Sequence, residues 1–390
     1  MIGRVRRRIP LRAWGAGVPS AARMLAVVVA GSYLFFGVPP VAAATTVRDL
    51  GILPGGRFSL AQAINPSGRA TGWSDTPTGD LHGVVWTPTG SGVFHMTDLG
   101  TLPGDTSSSG LAINPSGQVA GESGTTNGPN HAVVWTPTES GTLSITGLGT
   151  LPGGTSSWAG AINAAGDVAG FSQTLDGTER AVLWTPTGSG SFDIRDLGTL
   201  GGTRSLASGI NTAGEVAGWS TTPDGLTHAV VWTPTASGSF KITDLGTLPG
   251  GVGEFGQAIN NAEQVLGYSE TTDTSTEALV WTPAGSGTFD VTKLRGFPGG
   301  NGFVSANGID DAGQVAGYSN NDRSDDHAVH AAMWSRTKSG AFSITDLGTL
   351  PGGVSSQAWG ISPAGGQVVG TSDTSSLDRA EHAVVWTTTG

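Results

Sequence analysis

Apolar positions in this chain come in short runs, separated by breaks rich in glycine and proline. Trp158-Ala159-Gly160-Ala161-Ile162 is one such run, closed by Asn163-Ala164-Ala165-Gly166. That tetrad reads as a tight turn, because Asn tolerates turn geometry and Gly supplies positive φ. Residues 167–172 make a second run, and a polar loop leads to a third at 180–184. Residues 191–197 alternate apolar and polar positions, the pattern of a half-exposed strand. The stretch therefore predicts four short strands and all-β structure.

The pattern then repeats. The tryptophan of a V-V-W-T-P-like step recurs as Trp86, Trp135, Trp184, Trp232, Trp281, Trp334 and Trp386, at steps of 49, 49, 48, 49, 53 and 52 residues. A second marker, D-L-G-T-L-P-G-G, begins at Asp49, Asp98, Gly147, Asp196, Asp244, Lys293 and Asp346. A third, A-I-N-x-x-G, carries Asn65, Asn114, Asn163, Asn211, Asn260, Asp310 and Ser362. Three markers in register, seven times over, define a repeat protein.

Four strands in a repeat of about 40–50 residues is the blade of a β-propeller. The expected fold is all-β: a seven-bladed β-propeller of four-stranded blades spanning residues 45–390. A β-solenoid is the alternative, but open solenoids need atypical polar caps. Here the last repeat stops at residues 386–390, before any fourth strand, while residues 45–50 match 94–99 position for position. The N-terminal strand is thus expected to complete the last blade and close the ring, which would protect the sheet edges.

Composition narrows the class. With 64 Gly and 21 Pro, a helical bundle is disfavoured, since each interior Gly costs about 1 kcal/mol against Ala. The absence of Cys excludes a disulfide scaffold, a thiolate zinc site and a thiol nucleophile. Arg4, Arg6, Arg7, Arg8, Arg12 and Arg23 precede an apolar run over 24–38, followed by Pro39-Pro40-Val41-Ala42-Ala43-Ala44. This is the layout of a secretory signal peptide over residues 1–44, cleaved after Ala44. An uncleaved anchor is the rival reading, because residues 24–44 are uncharged and about 20 residues span a bilayer. Past residue 44 the chain holds 13 basic and 30 acidic residues, a net charge of −17. Such a chain has no basic patch for nucleic acid or for an anionic membrane surface, and its acidity favours solubility.

The markers resemble the HAF-family extracellular repeat proteins, named for a His-Ala-Phe step. The step here is His131-Ala132-Val133, His228-Ala229-Val230 and His382-Ala383-Val384. The resemblance covers nearly all of residues 45–390 and rests chiefly on D-L-G-x-L-P-G-G and A-I-N-x-x-G. It implies a secreted or surface bacterial protein with a repeat-built β fold, and it brings no reaction or catalytic residue. The chain departs from the family step in having Val for Phe in these three copies, and Arg180 and Glu277 in place of His in two others.

Five histidines, His82, His131, His228, His330 and His382, each stand four residues before a repeat tryptophan. A ring of metal ligands is opposed by geometry, because packed sheets lie about 10 Å apart and ligands must lie about 2 Å from a zinc ion. No metal and no cofactor are expected. A His–Ser–Trp hydrogen-bond network within each blade is the structural expectation, with the D-L-G Asp nearby. Its serines are Ser74, Ser123, Ser172, Ser220, Ser269, Ser319 and Ser372, and its tryptophans are core anchors. A Ser–His–Asp triad is disfavoured, since catalysis needs one preorganised constellation and not seven copies.

The residue before each of those serines is aromatic in five repeats: Trp73, Phe171, Trp219, Tyr268 and Tyr318. These are the candidate ligand-binding residues, as faces for sugar rings in pockets between blades; inter-blade core is the competing role. The loops after them vary most, and residues 320–327 carry oxygens that suit Ca²⁺ but lack the D-x-D-x-D-G spacing. Variable loops on a rigid scaffold are where binding specificity resides. The reading is a secreted or surface-associated, monomeric, non-catalytic binding propeller, with an extracellular glycan or a protein as partner. The alternatives are an extracellular polysaccharide lyase or hydrolase with one site over the central channel, and a surface structural protein.

Overall fold

Residues 157–196 fold as four antiparallel strands, Ser157–Ile162, Val168–Gln173, Glu179–Pro186 and Phe192–Asp196, hydrogen-bonded in that order. The computed structural model describes residues 45–388 except 91, 126–127, 273–274, 286, 321–327 and 376–379. The leader 1–44 with its Ala44 cleavage position, and most of the candidate calcium loop, lie outside the described residues. Every described residue falls in one compact unit, Ala43–Gly390, and no helix among them is long and apolar enough to cross a membrane.

The described chain is all-β, with 28 strands in six sheets. Five sheets are four-stranded; the sixth has eight strands, because one parallel pair, Thr227 with Gly253, joins the fourth and fifth repeats. The sheet of the last repeat takes its fourth strand from the other end of the chain. Thr45–Asp49 pairs antiparallel with Glu381–Thr388, setting Val47 opposite Trp386.

The core lies between repeats. Each repeat tryptophan is at most 1% exposed and packs on strands of the preceding repeat. Trp184 joins Ala132 and Val134, Trp232 joins Ala181 and Leu183, and Trp386 joins Ala331 and Met333. Trp86, in the first repeat, packs with Ala383 and Val385 of the last. The small residues of the second and third strands leave room for these indoles, which is why Ala and Gly fill those strands.

Two hydrogen-bond systems tie neighbours together. A serine at the head of the first strand reaches back one repeat: Ser108 Oγ accepts the Gly83 N–H at 2.9 Å and donates to the Gly100 carbonyl at 2.8 Å. Ser157, Ser205 and Ser356 accept from Ala132, Ala181 and Ala331 in the same way. Ser59 accepts from Ala383 at 2.8 Å, linking the first repeat to the last. The A-I-N asparagines form the second system. Asn65 Oδ1 accepts the Ser67 and Arg69 N–H groups within its own turn, and its Nδ2 donates to the Asn114 carbonyl of the next repeat. Asn114, Asn163, Asn211 and Asn260 donate onward likewise, ending on Asp310.

Each first strand carries a β-bulge at its middle, for example between Ala159 and Ala161, and between Ala61 and Ala63. The second-strand Gly of V-A-G lies opposite the bulge. A Cβ built on Gly170 would overlap the Trp158 carbonyl oxygen, so this position requires glycine. The first strands of all seven repeats line one central cavity of about 400 Å³, and the A-I-N isoleucines form a collar toward a second cavity of about 250 Å³ among the Asn turns.

Candidate functional site

The L-P-G-G connections and the loops after the second strand meet on one face. Gly55 lies beside Pro77, Gly153 beside Leu175, and Gly201 beside Pro223. The serine that recurs at the end of each second strand joins the two segments. Ser74 Oγ accepts the Leu53 N–H at 3.0 Å and donates to the Phe58 carbonyl at 3.0 Å. Ser123, Ser172, Ser220 and Ser372 accept the corresponding Leu102, Leu151, Leu200 and Leu350 N–H groups. In the fifth repeat a buried glutamate intervenes: Glu254 Oε1 accepts from both Leu248 N–H and Ser269 Oγ.

The expected His–Ser–Trp network is not what forms. Ser74 stands opposite His82 in register, but its hydroxyl turns to the loop backbone. The imidazole pairs instead with the D-L-G aspartate on the fourth strand. His82, His228 and His330 place Nδ1 2.9, 2.8 and 2.9 Å from Asp98, Asp244 and Asp346. His382 does so with Asp49 at 2.7 Å, across the pairing of first and last strands. Burial opposes ionisation of Asp49, but the His382 hydrogen bond, the Gly51 N–H and the His382 charge together hold its carboxyl below the ordinary value. The two repeats without His keep a pair at the same place: Arg180 with Asp196, and Glu277 with Lys293 in reversed polarity. The tryptophans stand apart from this network. Trp334 and Trp386 donate Nε1–H to the Arg295 and Gly348 carbonyls, and the Nε1 atoms of Trp86, Trp135, Trp184 and Trp232 are buried without a partner among the described residues.

The second repeat breaks the pattern, because Gly147 replaces its aspartate. His131 turns to Asp105, 3.4 Å away, and Ser123 donates to the same carboxylate at 2.7 Å. The carboxylate sits between hydroxyl and imidazole. Ser123 Oγ faces the carboxylate and not the imidazole, so the trio lacks the serine–histidine–aspartate order of a nucleophilic triad. Among the described residues no group of three or more His, Cys, Asp or Glu could hold a metal ion.

The five candidate aromatics are half-buried on the loop face, and four of them are packed into rows with first-strand rings. Phe171 stacks with Trp158 at 6.1 Å between centroids. Trp219 meets Phe255 edge-on at 5.9 Å, and Phe255 stacks on Tyr268 at 4.8 Å. Tyr318 lies between Phe303 and Trp359, at 5.9 and 6.0 Å. The Arg204 guanidinium lies over Trp219 at 5.6 Å. Trp73 has Leu60 as its cross-strand neighbour. Burial raises the Tyr268 hydroxyl pKa, with the Glu270 charge adding to it.

Grooves between repeats do occur on this face, but none of the five aromatics lines them. Between the first and second repeats, Leu81, Ser109, Glu122 and Asn130 surround about 200 Å³. Glu122 takes the aromatic position here; burial raises its pKa against the opposing Asn130 hydrogen bond. The next two grooves, of about 700 and 750 Å³, are lined by Thr155, Ser156 and Gln173, and by Asp176, Thr178 and Arg180. The grooves between repeats are therefore lined by residues other than the five aromatics. Polar side chains line these grooves together with Leu81 and Leu175, and the rings form rows running toward the channel, where Trp158 and Trp359 line the wall. The partner rings Trp158, Phe255, Phe303 and Trp359 were not singled out in the sequence. Trp158 and Phe255 occupy the first-strand position paired with the second-strand aromatics Phe171 and Tyr268, whereas Phe303 precedes its strand and Trp359 is a bulge residue, so no shared register marks the four.

No protein-family model matches the chain, and no curated protein matches it. Solved structures show similarity at low identity. A puromycin-hydrolyzing peptidase of Mycobacterium tuberculosis is 13% identical, with a TM-score of 0.49 over 82% of this chain and 49% of the peptidase. AofleA from Arthrobotrys oligospora is 12% identical, with a TM-score of 0.42 over 78% of this chain and 90% of its own. A mutant Aleuria aurantia lectin in complex with Fucα1-6GlcNAc is 11% identical, with a TM-score of 0.41 over 74% of this chain and 96% of the lectin.

Proposed function

We propose that the chain is a ring-closed, seven-bladed β-propeller of the HAF kind. On this reading it is exported by residues 1–44 and acts at or outside the cell surface as a non-catalytic module binding a glycan on its loop face. Ring closure is supported by the pairing of Thr45–Asp49 with Glu381–Thr388, the Ser59–Ala383 hydrogen bond and the packing of Trp86 on Ala383 and Val385. The binding reading is carried by one observation: the loop face gathers aromatic rows, grooves and most of the exposed large apolar side chains among the described residues. The half-exposed aromatic rows lie there, polar grooves recur there between successive repeats, and Leu81, Leu175, Leu226, Val252 and Phe303 stand exposed there. Aromatic faces suit sugar rings, the hydroxyl and amide groups of the separate grooves suit sugar hydroxyls, and several shallow sites on one scaffold gain avidity for a repeating polymer.

The test is co-sedimentation of the folded unit Ala43–Gly390 with insoluble cell-wall and extracellular polysaccharides. Trp219→Ala and Tyr268→Ala are expected to keep the native near-ultraviolet spectrum and to weaken binding about 3- to 10-fold each, the value of one aromatic contact. Collapse of the fold in both variants would assign these rings to the core and remove them as ligand contacts. A protein partner is the second reading, favoured by Leu175, which is 83% exposed at a loop tip. It predicts that Leu175→Ser abolishes partner binding and leaves polysaccharide binding at zero in every variant.

A further inference from the structure

In every repeat the bulge falls on the same first-strand residue, and that residue lines the central channel. A bulge inserts an unpaired residue and re-aims its side chain. The positions flanking it are small and nearly uniform, whereas the bulge position itself differs from repeat to repeat. Ser208, Gln257 and Asn307 make it polar over three successive repeats; Gln62 stands apart from them, between Trp359 and Leu111 in repeat order, and Gly160 completes the set. A purely architectural position would carry the sevenfold uniformity of the Ile that follows it.

We infer that the bulge ring is a second binding site, for one small neutral molecule rich in hydroxyl groups, of monosaccharide to disaccharide size. The cavity of about 400 Å³ falls within the roughly 300–1,000 Å³ of small-molecule sites. No charged residue lines it, so an ionic ligand would be desolvated without a counter-ion, at high cost. Amides and a hydroxyl provide donors and acceptors in a half-buried setting. Asn307 is already oriented, its Nδ2 donating to the Ala358 carbonyl at 2.8 Å and its Oδ1 accepting from Ser305 at 3.2 Å. The Gln62 and Gln257 side chains have no hydrogen-bond partner among the described residues.

Two indoles add flat apolar faces. Trp359 is held by Tyr318. Trp158 lies over Gly160, where any Cβ would strike its ring. Glycine at that bulge therefore makes room for the indole against the channel wall. Unlike residues around the ring favour a single oriented ligand, in contrast to the repeated grooves outside. This site is separate from the loop face and does not depend on it.

The experiment titrates the unit Ala43–Gly390 with the methyl glycosides of glucose, galactose, mannose and N-acetylglucosamine, and with glucuronic acid as the charged control. Saturation-transfer NMR and tryptophan fluorescence report binding. At least one neutral glycoside is expected to saturate, and glucuronic acid is not. Gln257→Leu should weaken that binding about tenfold, the loss from one or two hydrogen bonds left unmade. Ser208→Trp should abolish it by filling the channel; its fold should persist, because the seventh repeat already holds Trp at this bulge. Trp219→Ala should leave it unchanged. Absence of binding by all four glycosides, or equal binding in the Ser208→Trp protein, overturns the proposal. Polysaccharide binding that survives Ser208→Trp keeps the loop-face reading intact whichever way the channel result falls.

Discussion

The leucine of D-L-G offers a direct comparison between the contact of the first repeat with the last and a junction between successive repeats. Leu50 is 4% exposed and packs with Val369, Ala383 and Val385 of the last repeat, as well as with Trp86 of the first. Leu148 is 5% exposed and packs with Ala132, Val134 and Trp184 at an interior junction. Their N–H groups donate to equivalent carbonyls, Leu50 to Ala383 and Leu148 to Ala132, each at 2.8 Å. Truncating a buried Leu to Ala costs about 2–5 kcal/mol, transfer and cavity terms together. If the N-terminal strand is a full member of the last blade, Leu50→Ala and Leu148→Ala should cost the same, about 3 kcal/mol. Unfolding entropy near 2.1 cal/mol/K per residue, over a unit of this length, gives about 0.7 kcal/mol per kelvin. Each variant should therefore lower Tm by about 4 °C. The assay is calorimetry of both variants beside the parent. A Leu50→Ala shift below about 1 °C, with Leu148→Ala at its full value, would refute closure by this strand.

Three further outcomes follow from named contacts. Asp310 takes the place of a ladder asparagine, is buried, and leaves Oδ2 without a partner. Burial raises its pKa against the Gln314, Ala312 and Gly313 backbone hydrogen bonds, so the native state is penalised once the carboxyl ionises. Asp310→Asn should stabilise by about 1–2 kcal/mol at neutral pH. The gain should vanish as pH falls below the unfolded carboxyl value near 3.9, as urea titrations at several pH values would reveal. Glu277→Lys opposes Lys293 with a like charge and should cost about 0.5–1 kcal/mol; adding Lys293→Glu should restore it, as read by a double-mutant cycle. Trp184→Ala, at a fully buried inter-repeat indole, should cost about 3–5 kcal/mol in the same unfolding assay.

Much of the framework was legible because each repeat states its own strands. The Asn163–Gly166 turn and the alternation over 191–197 gave strands within a residue or two of Ser157–Ile162 and Phe192–Asp196. The match of residues 45–50 to 94–99 anticipated the pairing of Val47 with Trp386. The bulges were not legible. In a five- or six-residue strand of small side chains, one inserted residue leaves no periodic trace, and its only mark was the glycine of V-A-G facing it. The histidine partner was missed for a different reason. Ser74 is nearer His82 in register than Asp98 is in sequence, yet its hydroxyl serves the Leu53 N–H, a backbone need that no side-chain pattern announces. The Glu277–Lys293 exchange was visible as two substitutions and becomes one pair only when the third and fourth strands are laid together.

The central claim is that the loop face of the folded unit recognises glycan. A glycan-array screen of Ala43–Gly390, run in calcium and in chelator beside the Trp219→Ala protein, addresses it most directly. The account predicts saturable signal on at least one glycan class, diminished by Trp219→Ala, and signal confined to the calcium arm would add residues 320–327 to the site. A blank array from protein with a cooperative unfolding transition would contradict it.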